Sequence, residues 1–105
     1  AVAPRRSPLS RRTVITTIVL IKADPKHIPE TARAIAGIDG VQEVYSVSGE
    51  WDLVAIVKVP DYEQIAEVVT ERFPAVSGVL RTQTLTAFRA YSRGDLEQAW
   101  DIGVD

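Results

Sequence analysis

The four residues best suited to bind a charged small molecule stand between two apolar runs, as Gly49-Glu50-Trp51-Asp52. Glycine tolerates the positive φ of a tight turn, so Gly49 has a structural explanation by itself. A carboxylate beside a tryptophan at the start of an apolar strand is costly to bury without a partner. The residues alone leave two interpretations of Asp52: it caps the amides of its own turn, which we favour, or it faces a cationic partner.

A second polar segment, Thr82-Gln83-Thr84, lies near the end of the chain, after Ser77-Gly78-Val79. Alternation along a strand predicts that Thr82 and Thr84 share one face. Threonine in strands commonly reflects β propensity alone. The functional alternative is that the two hydroxyls and the Gln83 amide bind a small polar ligand by hydrogen bonds.

The chain lacks the residues that several kinds of catalysis and metal binding require. The chain has no cysteine and a single histidine, His27, which excludes thiolate sites, cysteine nucleophiles and a multi-histidine metal site within one chain. Its serines stand in no nucleophile-elbow context, and no glycine-rich phosphate loop follows a strand. We therefore expect a protein that is not an enzyme and that uses no cofactor and no metal.

Composition and charge further restrict the class of protein to which this chain can belong. The 105 residues are 46% hydrophobic and 25% charged, as in one soluble domain. The sequence contains no apolar run of about 18 residues and no pattern typical of a signal peptide. We therefore expect a cytoplasmic protein without a membrane segment. Residues 1–13 carry four arginines and no acid, whereas the rest carries −6, which gives the net charge of −2. We read residues 1–13 as a flexible basic tail and 92–105 as an acidic extension. An acidic body repels phosphate, so we expect no direct nucleic-acid binding.

The apolar periodicity predicts the order βαββαβ within residues 14–91. Strands are expected at residues 14–23, 41–48, 51–59 and 80–91. Helices are expected from the Asp24-Pro25 cap to Gly37 and from the Asp61 cap, with Gln64 three residues later, to Pro74. This order is typical of a ferredoxin-like α+β sandwich, an antiparallel four-stranded sheet with two helices on one face.

The central strands of such a sheet predict a partner subunit. The first and third strands are apolar on both faces, whereas two helices cover only one face. An exposed apolar face of that size usually marks an interface. We therefore expect a homodimer that packs sheet against sheet about a two-fold axis.

Residues from about Ile15 to Tyr91 resemble the effector-binding (RAM) domain of the Lrp/AsnC family of bacterial and archaeal regulators. The resemblance rests on Gly40-Val41 after the first helix, on Val44–Asp52 with its Gly-x-aromatic-Asp turn, on Val59-Pro60-Asp61, and on Gly78–Thr84. It implies dimers that assemble into octameric or decameric rings, with small effectors, commonly amino acids, in clefts between dimers.

The resemblance also implies roles for the polar segments. The turn contributes to the effector cleft, and Thr82, Gln83 and Thr84 lie near it. The amides of Gly49 and Glu50 would hold the carboxylate of an amino acid, Asp52 its ammonium, and Trp51 would wall the pocket. Thirteen residues before the first strand are too few for a helix-turn-helix domain. We therefore expect either a stand-alone effector domain, able to associate with a full-length Lrp/AsnC regulator, or a fragment cut at the linker.

Two other classes share this order of elements. A cofactor-free oxygenase or isomerase of the dimeric α+β barrel type has the same topology, but needs titratable groups inside the sheet cavity. An ACT-like amino-acid module would use the loop at residues 23–26, which has no glycine. The leading expectation remains a small-molecule-binding oligomer in transcriptional regulation.

Overall fold

The strands and helices follow the predicted order. The computed structural model describes residues 14–93, with strands β1 (Ile15–Ala23), β2 (Val41–Ser46), β3 (Leu53–Val59) and β4 (Val79–Thr86). Helix α1 (Ile28–Ala36) follows a 3-10 turn (Pro25–His27), and α2 (Tyr62–Glu67) continues into a π-helical turn (Val68–Arg72). Residues 1–13 and 94–105, which include most of the acidic extension, lie outside the described residues.

The sheet has the order β2-β3-β1-β4 with every neighbouring pair antiparallel. The predicted α+β ferredoxin-like fold is confirmed, and so is the central position of the first and third strands. Val19 illustrates the register, since it lies opposite Ala55 on β3 and Thr84 on β4. In the described part of the chain, no helix is long and apolar enough to cross a bilayer.

Three predicted strand ends are wrong by two residues or more, and the starts of β1 and β4 differ from the prediction by one residue. β4 ends at Thr86 rather than at residue 91, because β1 begins at Ile15 and offers one last bond, from the Ala87 amide to the Thr16 carbonyl. β2 ends and β3 begins two residues further from the turn than expected. The connection therefore comprises residues 47–52 and is closed by the bond from the Val47 amide to the Asp52 carbonyl (3.1 Å).

Both predicted capping bonds are present, with Asp24 at the 3-10 turn that leads into α1 and Asp61 at the start of α2. The Asp24 carboxylate accepts from the Lys26 amide (3.0 Å), and the Asp61 carboxylate accepts from the Gln64 amide (2.9 Å). These bonds satisfy amides that have no acceptor within the first helical turn.

The predicted apolar faces of the helices need correction. On α1, helical spacing in the sequence predicts an apolar face of Ile28, Ala32, Ile35 and Ala36. In the structure the buried residues of α1 are Thr31 and Ile35, and Ala36 is exposed. The same spacing in the sequence predicts an apolar stripe along the second helix, made of Tyr62, Ile65, Ala66, Val69 and Phe73. In the structure the buried residues are Ile65 on α2, Val68 in the π-helical turn and Phe73 directly after it. In the π-helical turn the Phe73 amide donates to the Val68 carbonyl five residues back, so the two buried residues Val68 and Phe73 are five positions apart.

The core lies between the helices and the face of the sheet they cover, which we call the inner face. Its buried apolar side chains come from β1, β3 and both helices: Val19, Ile21, Ala23, Ile35, Leu53, Ala55, Val57, Val59, Ile65, Val68 and Phe73. Helix α1 is also tied to the start of β4, because the Thr31 hydroxyl donates to the Ser77 carbonyl (3.3 Å). Gly78 beside it has a φ of +98°, and an added Cβ would lie 2.2 Å from the Thr31 hydroxyl oxygen.

We expect Gly78→Ala to destabilise the domain by about 3 kcal/mol, because left-handed strain adds to the clash with Thr31. Gly49→Ala is the matched control, since Gly49 has a φ of +112° with nothing within 4 Å of an added Cβ. Gly49→Ala should lower the free energy of unfolding only by the backbone strain, about 1 kcal/mol. Urea unfolding of both variants measures the difference. Equal losses would show that the Thr31 contact is accommodated without cost.

Candidate ligand site at the β2–β3 turn

The turn at residues 47–52 lies at the end of the sheet where β1 ends and β4 begins. Gly49 and Glu50 are exposed, and Trp51 and Asp52 are half-buried. The β1–β4 register places Lys22 opposite Arg81 at the same end. The fold therefore gathers two carboxylates, two cations and an indole within a few residues of the turn.

Asp52 is held by the neighbouring strand rather than by its own turn. Its Oδ2 accepts from the Ala23 amide (2.9 Å) and lies 3.8 Å from Lys22 Nζ, while its own amide donates to the Ile21 carbonyl (2.9 Å). The favoured interpretation that Asp52 caps its own turn is thus wrong. The register shift between Lys22 and Ala23 leaves the Ala23 amide beside the turn, and the carboxylate satisfies it.

Asp52 still has an unused oxygen. In the part of the chain that the structure describes, Oδ1 has no hydrogen-bond partner, and the amides of Gly49 and Glu50 donate to no acceptor. One acceptor and two donors therefore remain available at the turn, and these are the groups needed to hold an ammonium and a carboxylate.

Lys22 and Arg81 are the site residues that sequence reasoning missed. Lys22 Nζ donates to the Glu50 carbonyl (2.8 Å), and the Arg81 guanidinium lies over the Trp51 ring, 4.8 Å from its centroid. Glu50 Oε2 is 3.9 Å from an Arg81 nitrogen. These residues are distant in sequence, and only the strand register brings them together, so no local motif could have indicated them.

The second predicted segment is divided between the two faces of the sheet. Thr82 lies opposite Ile21 and Thr84 opposite Val19, which places both on the inner face as alternation predicts. Gln83 lies opposite Leu20 and so belongs to the other face. A ligand on one face of a single protomer therefore cannot contact all three side chains.

The face of the sheet not covered by helices, which we call the outer face, carries a continuous apolar patch. Its members are paired across the strands and are half-exposed or half-buried: Ile18, Leu20, Tyr45, Val54, Ile56 and Leu85. At its edge the neighbouring Glu43 raises the pKa of Tyr45, chiefly by favouring the protonated hydroxyl as a hydrogen-bond donor, with smaller effects of desolvation and of the Glu43 charge.

Four depressions of about 260 to 520 Å³ open on the surface, and none of these four is lined by a residue of the turn. The exposed His27 lines one of them. Among residues 14–93, no group of three or more His, Asp or Glu side chains is placed to hold a metal ion. A ligand at the turn would therefore need a second molecule to enclose it.

The fold is a small α+β sandwich with an apolar outer face and a polar turn at one end of its sheet. A family model described as the Lrp/AsnC ligand binding domain matches residues 16–96, and the chain belongs to this family. It is 38% identical over 76 residues to an uncharacterised HTH-type transcriptional regulator, PF0250 of Pyrococcus furiosus, covering 70% of this chain and 51% of that protein. The chain thus spans about half the length of the curated relatives it matches.

Solved structures agree with the fold. TTHA0845 from Thermus thermophilus is 47% identical, with a TM-score of 0.70 over 75% of this chain and 99% of that one. The transcriptional regulator NMB0573 from Neisseria meningitidis, solved as a complex with L-Met, has a TM-score of 0.71 at 17% identity, over 83% of this chain and 58% of that one. At that identity the likeness concerns the fold alone.

Proposed function

We propose that this domain is a non-enzymatic effector-binding module of a transcriptional regulatory system, and that its effector is an amino acid bound at the β2–β3 turn. The observation that carries the proposal is the set of unused groups there. Asp52 Oδ1 would accept from the ammonium, and the amides of Gly49 and Glu50 would donate to the carboxylate. The Trp51 ring would wall the pocket.

A second copy of the chain completes the assembly in this proposal. The outer-face patch leaves six neighbouring apolar side chains partly exposed to water, and packing against the same patch of another copy would bury them. Association of such dimers into a ring of eight or ten chains would then enclose the turns between them. A longer relative with the same domain would offer the same face, so a full-length regulator is a further partner in this proposal.

The outer face also supports a binding role over catalysis. The alternative, a cofactor-free oxygenase or isomerase, needs a titratable group over the middle of the sheet. The side chains at that position are Ile18, Leu20, Val54 and Ile56, which are aliphatic. The described charged groups of this face lie at its ends and edges.

A thermal-shift screen against the twenty amino acids, combined with native mass spectrometry, tests the proposal. We expect one amino acid or a small related group to raise the melting temperature by about 10 °C at a hundred times its Kd, because binding to the folded state alone stabilises it. The same ligand should change the distribution of oligomers. Absence of binding for all twenty, checked by calorimetry, would contradict the proposal.

A further inference from the structure

Two cations stand directly opposite each other on the outer face, beside the turn. Lys22 and Arg81 are paired in the β1–β4 register, and like charges in that arrangement repel. Such a pair is stable in a sheet when an anion lies close to both. The nature of that anion bears on which ligand the site accepts.

The chain's own carboxylates neutralise this pair weakly. Asp52 lies 3.8 Å from Lys22 and Glu50 lies 3.9 Å from Arg81, both beyond hydrogen-bond distance. The oxygen of Asp52 nearest Lys22 already accepts from the Ala23 amide, and Lys22 makes its hydrogen bond to a neutral carbonyl. Within residues 14–93 the Arg81 guanidinium donates no hydrogen bond, so its donors are available.

Trp51 orients this unused guanidinium. Stacking of the Arg81 guanidinium on the indole face, at 4.8 Å, restricts its rotation and leaves its N–H edges open. A planar guanidinium presented in this way fits a carboxylate in bidentate geometry. A methyl or thioether side chain would bring no anion to either cation and would leave Asp52 and Glu50, at 3.8 and 3.9 Å, as their nearest carboxylates.

We infer that the effector carries a second carboxylate, as a dicarboxylic amino acid does, and that Arg81 with Lys22 selects it. This inference rests on the proposed function, since the ammonium and first carboxylate take the groups assigned there. The second carboxylate replaces the distant Glu50 as the anion beside Arg81. The site thereby discriminates L-glutamate and L-aspartate from their amides and from aliphatic amino acids.

Titration calorimetry on the full chain tests the inference with L-glutamate, L-aspartate, L-glutamine, L-asparagine and L-leucine. We expect the acids to bind about ten- to hundredfold more tightly than their isosteric amides, as for a charge-assisted hydrogen bond. Arg81→Gln should abolish this preference and leave the affinity for the amides within about threefold. Glu50→Gln removes the competing anion and should tighten binding of the acids, whereas Arg33→Gln on helix α1 is the matched control and should change nothing.

The outcomes separate the two proposals. If an amide or leucine binds as tightly as the acids, or if Arg81→Gln keeps the preference, the inference is wrong while the proposed function stands. If Arg81→Gln changes the native mass rather than the preference, Arg81 contacts another copy and the inference is again wrong. If no amino acid binds to the unmodified chain, the proposed function fails and the inference fails with it.

Discussion

Ile18→Asp is expected to convert the assembled protein into folded monomers. Ile18 lies on a central strand in the middle of the outer face, opposite Ile56 on β3 and Leu85 on β4. In a two-fold sheet-to-sheet dimer this substitution buries two carboxylates among aliphatic side chains, without a cation to pair with them. The cost is about 4 kcal/mol or more, which weakens association about a thousandfold.

The folded monomer should survive this change. The Ile18 side chain points away from the core, so the substitution affects mainly strand propensity, at a cost of about 1 kcal/mol. Native mass spectrometry and light scattering measure the assembly, and circular dichroism verifies folding. Tyr62→Asp is the matched control, because Tyr62 is an exposed aromatic residue on helix α2, on the helix-covered side. A wild-type mass for Ile18→Asp would contradict the sheet-to-sheet dimer.

Asp52→Asn is expected to lower amino-acid affinity by about 30- to 100-fold with little effect on stability. The asparagine oxygen can still accept from the Ala23 amide, which preserves the anchor of the turn to β1. It lacks the negative charge that the effector's ammonium requires, and hydrogen bonds between charged groups are worth about 2 to 3 kcal/mol. Calorimetry gives the affinity and urea unfolding gives the stability.

Asp52→Ala separates the two roles of this carboxylate. Removal of the acceptor leaves the part-buried Ala23 amide without its partner, so this variant should lose binding and also about 1 to 2 kcal/mol of stability. If Asp52→Asn binds the effector like the wild type, Asp52 is a structural anchor and the ammonium is bound elsewhere.

The order of elements could be predicted because the local signals agree. Asp24 and Asp61 cap helices at the expected residues, and the two-sided apolar pattern of β1 and β3 identified the central strands. The π-helical turn after α2 could not be predicted from the sequence. No local residue pattern specifies that a backbone amide bonds the carbonyl five residues back rather than four. The early end of β4 depends on where its partner β1 begins.

The Gly49-Glu50-Trp51-Asp52 turn shows which properties the sequence determines and which the tertiary structure determines. Sequence alone determined that a glycine-containing turn carries an indole and a carboxylate beside an apolar strand, since these are local facts of composition and spacing. Only the tertiary structure decided that Asp52 anchors β1 and that Lys22 and Arg81 join the turn. The register of β1 against β3 and β4 fixes these neighbours, and register results from packing of the whole sheet against its helices.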